Sequence, residues 1–335
     1  MRISSFVIPV AFLLLGLTAC ERYLLGQNAS DDATSIFDHL WQDVHERYSY
    51  FELKGIDWHE VGDRHRERVH DGMPEKELFS VLADMLNELR DGHVNLTSPF
   101  NRSRNWGYFQ DFPLNYNQGV IDRHYLKSDF WITGPLRNQI IDSVLYVNYR
   151  SFMDEISDAH LNELMERAQG LRGVIIDVRS NGGGSMLNAE RLASSFTEQS
   201  YLFGRVRIKT GPCESCFSSW NDMRVFPRNG PQYLGKVVVL TDRTSFSTTT
   251  YFAEMMRQNE NAVLVGDMTG GGGGTPAYGE LANGWIYRFS ATQVVSVEGE
   301  HLELGVPVDF DVQLLPEDEH EGVDTIIEFA LSLFE

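Results

Sequence analysis

Two segments of this 335-residue chain carry the residue types from which nucleophilic chemistry can be built. The first is Lys236-Val-Val-Val-Leu-Thr-Asp-Arg-Thr-Ser-Phe-Ser247-Thr248, an apolar strand that ends in a hydroxyl-rich turn and enters a helix. A serine at such a helix start projects its Oγ from a turn, and the Thr248 amide would point the same way, toward an oxyanion. GxSxG itself is absent, and Ser and Thr are also the preferred helix N-caps, so the local pattern fits capping as well as catalysis. The second segment is Gly173-Val-Ile-Ile-Asp-Val-Arg-Ser-Asn-Gly182-Gly183-Gly184, a strand running into a glycine turn. Amides in such a turn can converge on an anion, either a phosphate or the oxyanion of a tetrahedral intermediate. The Gly-Lys-Ser/Thr of a P-loop and the GxGxxG fingerprint are both missing, which disfavours nucleotide binding.

A serine nucleophile needs a base. No lysine follows Lys236, which removes a downstream Ser-Lys dyad. Among the ten histidines, His93 stands in a short polar turn just after a helix, Leu89-Arg-Asp-Gly-His93-Val-Asn-Leu96. That position gives access, although a lone loop histidine is also an ordinary surface residue. His45-Glu46-Arg47-Tyr48-Ser49 does not complete HExxH, and no metal or other cofactor is expected.

These groups must be positioned by two kinds of element. Ile36, Leu40, Trp41, Val44 and Tyr48 share one helical face, and a second helix is predicted from about Pro74 to Leu89, so residues 35–96 read as a helical subdomain. Beyond His93 come near-continuous apolar runs at 143–147, 173–178, 236–240 and 262–265, separated by helical stretches at 160–169, 187–196 and 247–257. Strands buried on both faces and alternating with helices predict an α/β layered domain over 97–335. The run Gly270–Gly274 reads as a mobile loop near the site.

Acidic residues outnumber Lys and Arg by 48 to 28, a formal charge of -20. No basic footprint for nucleic acid is present, and nucleic acid is excluded as a partner. Met1–Ser5 carries one positive charge before an apolar run, Phe6–Ala19, that is too short to span a bilayer and reads as a secretory signal over residues 1–19. Its end, Leu17-Thr-Ala-Cys20, is similar to a bacterial lipoprotein signal. That similarity implies lipidation of Cys20, a polar tether over 20–34, and a protein that is exported and touches the membrane only through its anchor. In an oxidising compartment Cys213 and Cys216 could close a small disulfide loop.

In order along the chain, Phe37-Asp-His-Leu-Trp, Leu89-Arg-Asp-Gly-His-Val-Asn-Leu, Val174-Ile-Ile-Asp-Val-Arg-Ser-Asn-Gly-Gly-Gly, Leu240-Thr-Asp-Arg-Thr-Ser-Phe-Ser and Gly299-Glu-His-Leu-Glu-Leu-Gly-Val-Pro-Val-Asp309 resemble the C-terminal-processing (tail-specific) serine peptidases. The resemblance is to the branch that includes the tricorn core and interphotoreceptor retinoid-binding protein. It implies a crotonase/ClpP-like α/β catalytic domain behind the helical subdomain, and a polypeptide substrate. By position the nucleophile falls on Ser247, the base on His93 and a glutamate that orients it on Glu303, with oxyanion donors at Gly182, Gly183 and Thr248. The lysine base of the tail-specific branch falls on Gly272, and the serine that bridges histidine to glutamate in tricorn-like sites falls on Gly92, which leaves His93 to be oriented by Glu303 directly, by a water or by Asp91. Thr250 stands where the tail-specific motif has glutamate. Only about 45 residues lie between Leu96 and the run at 143, roughly half of what an inserted PDZ domain requires, so no PDZ domain is expected. The expected function is therefore a lipid-anchored extracytoplasmic serine endopeptidase. The alternative is an inactive lipoprotein of the same fold that binds a peptide or an apolar ligand.

Overall fold

The computed structural model describes residues 30–335, so the signal segment and Cys20 lie outside the described residues. The four apolar runs form the parallel centre of a seven-stranded sheet. Its spatial order is Phe310–Asp311, Ala262–Gly266, Val237–Thr241, Gly173–Asp177, Val144–Asn148, Leu136–Ile141 and Trp131–Thr133. The last two are added antiparallel, and the other neighbours pair in parallel. Because side chains alternate across a strand, Leu145, Val147, Val174, Ile176, Val237 and Val239 face a layer built from the helices Asp158–Ala168, Met186–Ala193 and Thr248–Arg257. Val144, Tyr146, Ile175, Val238 and Leu240 face the other layer, where Ile121–Leu126 and the helix Thr325–Ser332 cover them. Burial on both faces is why these strands carry no polar alternation.

The N-terminal helices Ala33–Arg47, Trp58–Arg66 and Glu75–Asn87 pack around Phe37, Leu40, Leu82 and Leu86. Asp32 and Asp57 accept the first free amides of the first two, while Pro74 stands just ahead of the third as its N-cap. This core is completed from the far end of the chain. Leu281, Trp285, Tyr287 and Phe289, on and beside the hairpin Pro276–Glu280/Ile286–Ser290, belong to the same apolar cluster, and Asn95–Thr97 pairs with Ile286–Ser290. The division at residue 96 is thus crossed by a strand pairing of long sequence separation. Between Thr97 and Leu136 the chain makes short helices and one three-residue strand, with no PDZ domain. Cys213 and Cys216 are bonded to each other in the loop between Tyr201–Ile208 and Asn221–Val225.

One expectation is corrected. Gly270–Gly274 is a buried strap, not a mobile loop. A Cβ on Gly270 would lie 2.2 Å from the Arg243 carbonyl, and one on Gly271 would lie 2.1 Å from that of Glu303. Glycine is needed here for close backbone approach.

Candidate active site

In an open α/β sheet the carboxyl ends of adjacent parallel strands bring their loops together. Here the turns after Gly173–Asp177 and Val237–Thr241 are tied by Phe246 N donating to Asn181 O at 3.1 Å and Thr249 Oγ1 donating to the same carbonyl at 2.8 Å. The second turn ends at Ser247, whose φ of 59° and ψ of -121° lie in a region that side chains rarely occupy. The strain is held by Ser247 N, which donates to Gly271 O at 2.9 Å, and by Thr250 Oγ1, which donates to the same carbonyl at 2.7 Å. Ser247 precedes the helix Thr248–Arg257, yet its hydroxyl makes no capping bond. Its Oγ lies instead 2.8 Å from His93 Nε2, across 154 residues of sequence. With the ring protonated on Nδ1, Ser247 donates and Nε2 accepts. Ser245 is structural, since its Oγ donates to Val178 O at 2.8 Å inside the turn.

His93 is fixed mainly through its backbone and ring face. Asp91 Oδ1 accepts from His93 N at 2.8 Å, Asn95 Nδ2 donates to His93 O at 3.1 Å, and the Phe246 ring packs 4.8 Å from the imidazole centroid to centroid. Nδ1 is buried and has no hydrogen-bond partner of full geometry among the described residues; the Gly274 backbone beside it favours the protonated ring. Phe246 also explains two of the departures from the family pattern. A Cβ on Gly92 would lie 2.8 Å from Phe246 Cζ, and one on Gly272 would lie 2.5 Å from the same atom. The aromatic ring fills the space that a bridging serine or a lysine base would need.

The expected bond from Glu303 to His93 is not formed. Glu303 Oε1 accepts from Lys54 Nζ at 2.6 Å, and Lys54 Nζ lies 3.9 Å from Asp91 Oδ2. Lys54 ends the four-residue helix Phe51–Lys54 and reaches under the histidine loop, where it also donates to Arg90 O at 3.0 Å. Burial and the negative charge of Asp91 push Glu303 well above the usual carboxylate range, against the opposing pull of Lys54. Burial also opposes ionisation of Asp91, but Lys54 and His93 together hold it below its ordinary range. The two carboxyl groups are therefore pushed apart, Asp91 toward its ionised form and Glu303 toward its protonated one, with Lys54 between them. Asp91 is the carboxylate whose charge favours a proton on His93.

Removing the cation should expose this balance. Lys54→Met is expected to lose about 3–5 kcal/mol of unfolding free energy, the usual result of leaving a buried charge without its partner. The loss should grow as pH rises, because the native variant must then give up a proton that burial retains. Urea unfolding at pH 6 and pH 8 measures both effects, and equal stability of variant and wild type would contradict the arrangement.

The oxyanion groups separate. Thr248 N has no partner among the described residues and adjoins the nucleophile, as an oxyanion donor must. Gly183 N, expected to be a second donor, is instead engaged by Asn181 Oδ1 at 3.0 Å in a side-chain turn. Gly183 remains spatially critical. Its φ is 95°, and a Cβ would lie 2.9 Å from Thr248 N and 3.0 Å from Ser247 Cβ. Gly182 is exposed, its amide has no partner among the described residues, and a Cβ there would meet nothing. Beside the pair lies a recess of about 280 Å³ walled by Tyr108, Phe112, Phe246 and Leu304, with the charged Lys54, Arg90, Arg243 and Glu303 also on its lining. Tyr108 stacks on Phe246 with ring centroids 4.2 Å apart.

Burial, reinforced by Arg288 and Lys54 and resisted by Asp91, lowers the pKa of His93 to about 4. The ring is thus neutral and able to accept a proton throughout the neutral range. The acid limb of kcat/KM should fall below about pH 5, well under the ordinary histidine value of ~6.5. An acid limb at 6.5 or above would contradict this environment. The same shift acts on stability: between about 6.5 and 4 the unfolded chain takes up a proton that the native ring refuses, so this contribution is present above 6.5 and declines as pH falls through that window.

Comparison with known proteins identifies the family and the fold. The model for peptidase family S41 matches residues 143–312, and that for the tricorn protease C1 domain matches residues 30–87. A solved structure from Parabacteroides merdae ATCC 43184, described as that of a peptidase, is 38% identical, with a TM-score of 0.87 over 91% of this chain and 97% of that one. Mature CPAF complexed with lactacystin superposes with a TM-score of 0.67 over 90% of this chain and 97% of its own, at 11% identity, which speaks for the fold alone. The carboxy-terminal processing protease CtpB of Bacillus subtilis (strain 168) is 24% identical over 132 residues, or 39% of this chain. The chain spans only about a quarter of that curated relative's length, 26%.

Proposed function

We propose that this chain, which belongs to peptidase family S41 and is a serine-type hydrolase acting on polypeptides, cleaves internal peptide bonds outside the cytoplasm while tethered through a lipid on Cys20. Ser247 Oγ attacks the scissile carbonyl as His93 Nε2 takes its proton, and the C–N bond breaks when His93 returns that proton to the leaving amine. Water then attacks the acyl-enzyme ester with His93 again as base, which releases the carboxyl product and restores the hydroxyl. The Thr248 amide, joined by Gly182, stabilises the tetrahedral oxyanion. Asp91 offsets the charge that appears on the imidazole, in place of the directly bonded glutamate that the resemblance implies. Glu303 acts one step back, by fixing Lys54.

The observation that carries this reading is the 2.8 Å approach of Ser247 Oγ to His93 Nε2 by a hydroxyl that caps nothing. Its test is the mass-spectrometric appearance of new peptide termini when the full chain is incubated with an unfolded polypeptide. Cleavage by wild type and none by Ser247→Ala is expected; equal cleavage by both would overturn the assignment. Anchoring is tested separately by palmitate labelling and membrane fractionation in a bacterial host. Label and membrane retention that vanish in Cys20→Ala are expected, and an unlabelled wild type would remove the lipid from the account.

A further inference from the structure

Gly92 also lines a second hollow, of about 260 Å³, which differs from the first in having basic side chains but no carboxylate on its walls. Its walls carry Arg102, Arg104 and Arg288, with Ser103, Asn105 and Trp106 between them, and no carboxylate lines it. On a chain of formal charge -20, three guanidinium groups without an acid among them are out of keeping with the rest of the surface. Arginines elsewhere are divided, since Arg47, Arg64 and Arg179 pair with Asp or Glu whereas Arg123, Arg205 and Arg207 do not, and what marks this hollow is three guanidinium groups gathered on one wall. Among the described residues no side chain pairs with Arg102, Arg104 or Arg288, and Arg288 Nε is buried without a partner. The exposed Arg104 guanidinium lies over the Trp106 ring, 4.9 Å from its centroid.

The hollow is coupled to the catalytic loop. Arg288 stands directly opposite Asn95 in the strand pairing, and Asn95 Nδ2 holds the His93 carbonyl at 3.1 Å. Gly92, the residue before the base, forms part of its wall. The hollow thus adjoins the loop that carries the base, next to where a polypeptide attacked by Ser247 would lie.

We propose that the arginine hollow is a substrate subsite for a carboxylate, so that this peptidase selects polypeptide segments carrying an acidic group within a few residues of the cleaved bond. The inference rests on the peptidase reading above. Planar guanidinium groups match a carboxylate in two-point fashion, and Arg288, half-buried on its strand, is the one least screened by water. Catalysis and selection are then carried by one loop, whose His93 serves Ser247 while Gly92 borders the hollow that takes the carboxylate.

The test is cleavage-site profiling. A proteome-derived peptide library, offered once with free and once with amidated C-termini, is digested by wild type, by Arg102→Gln/Arg104→Gln and by Arg102→Glu/Arg104→Glu, and the sites are read by mass spectrometry. Wild type is expected to enrich Asp and Glu about tenfold at one fixed distance from the cut, the glutamine pair to lose that preference, and the glutamate pair to prefer Lys and Arg. Enrichment that survives amidation assigns the hollow to acidic side chains. Enrichment that depends on a free terminus assigns it to the chain-end carboxylate. The same site profile from all three proteins would overturn the subsite while leaving the peptidase reading intact. Should wild type cut nothing, the peptidase reading fails instead. Retention of acidic over amide-matched peptides on immobilised Ser247→Ala then decides the subsite without catalysis, and equal retention overturns it.

Discussion

Ser247→Ala is expected to lower kcat for peptide hydrolysis by about 10⁴–10⁶-fold, His93→Ala to lower it nearly as far, and the double variant to be no worse than either alone. The reason for non-additivity is that each side chain works only through the other. An alcohol left without a base at 2.8 Å is as unreactive as no alcohol, and a base without the alcohol has no proton to take. Stability should hardly move for the serine variant. Ser247 Oγ makes no bond to the helix it precedes, and alanine can occupy the same backbone conformation under the same strain, so the change should stay within about 1 kcal/mol, the worth of one ordinary hydrogen bond. Single-turnover kinetics on the three variants, with circular dichroism to confirm folding, checks both parts. Additive losses would mean that the two residues act independently.

The second large effect is expected from two adjacent glycines that the sequence does not distinguish. Gly183→Ala should cost about 10²–10³ in kcat, comparable to the loss of an oxyanion donor, whereas Gly182→Ala should remain within a few-fold of wild type. At position 183 the new methyl group would meet Phe246 O at 2.7 Å, Thr248 N at 2.9 Å and Ser247 Cβ at 3.0 Å, all at a φ of 95° that alanine resists. It would displace the one amide that adjoins the nucleophile and is free to meet an oxyanion. At 182 a methyl group enters open space. A pair of variants with equal activity would contradict the placement of Thr248 N in the reaction space.

Much of this architecture was legible in the chain. Runs such as Val237–Leu240 read as strands because both of their faces are buried, which leaves no polar residue to confuse the period. Ser247 and His93 were legible as residue types in turns at the ends of elements, and the order of five motifs joined them, although the burial of His93 was not legible. What escaped were relations set by long-range packing. Lys54 sits in a helix of only four residues, and its carboxylate partners lie 37 and 249 positions away, so no local period or motif marks it. The role expected of Glu303 failed for the same reason: motif position aligned the residue but could not show a lysine closing on its carboxylate. Gly270–Gly274 read as flexible because composition reports conformational freedom, whereas the packing of Phe246, Glu303 and Ser290 against its backbone removes that freedom. The hairpin that completes the N-terminal core follows about 190 residues after that core's last helix, which places it beyond any window of periodicity.

Reaction with a fluorophosphonate tests the pairing of hydroxyl and imidazole most directly, since the phosphorus accepts only an activated alcohol and fluoride leaves as the new P–O bond forms. The full chain should take up one adduct, mapped by tandem mass spectrometry to the peptide containing Ser247 and to that residue within it, at a rate that falls by at least about a thousandfold in His93→Ala. An unmodified wild type, or an adduct on Ser245 or another hydroxyl while Ser247 stays free, would contradict the account.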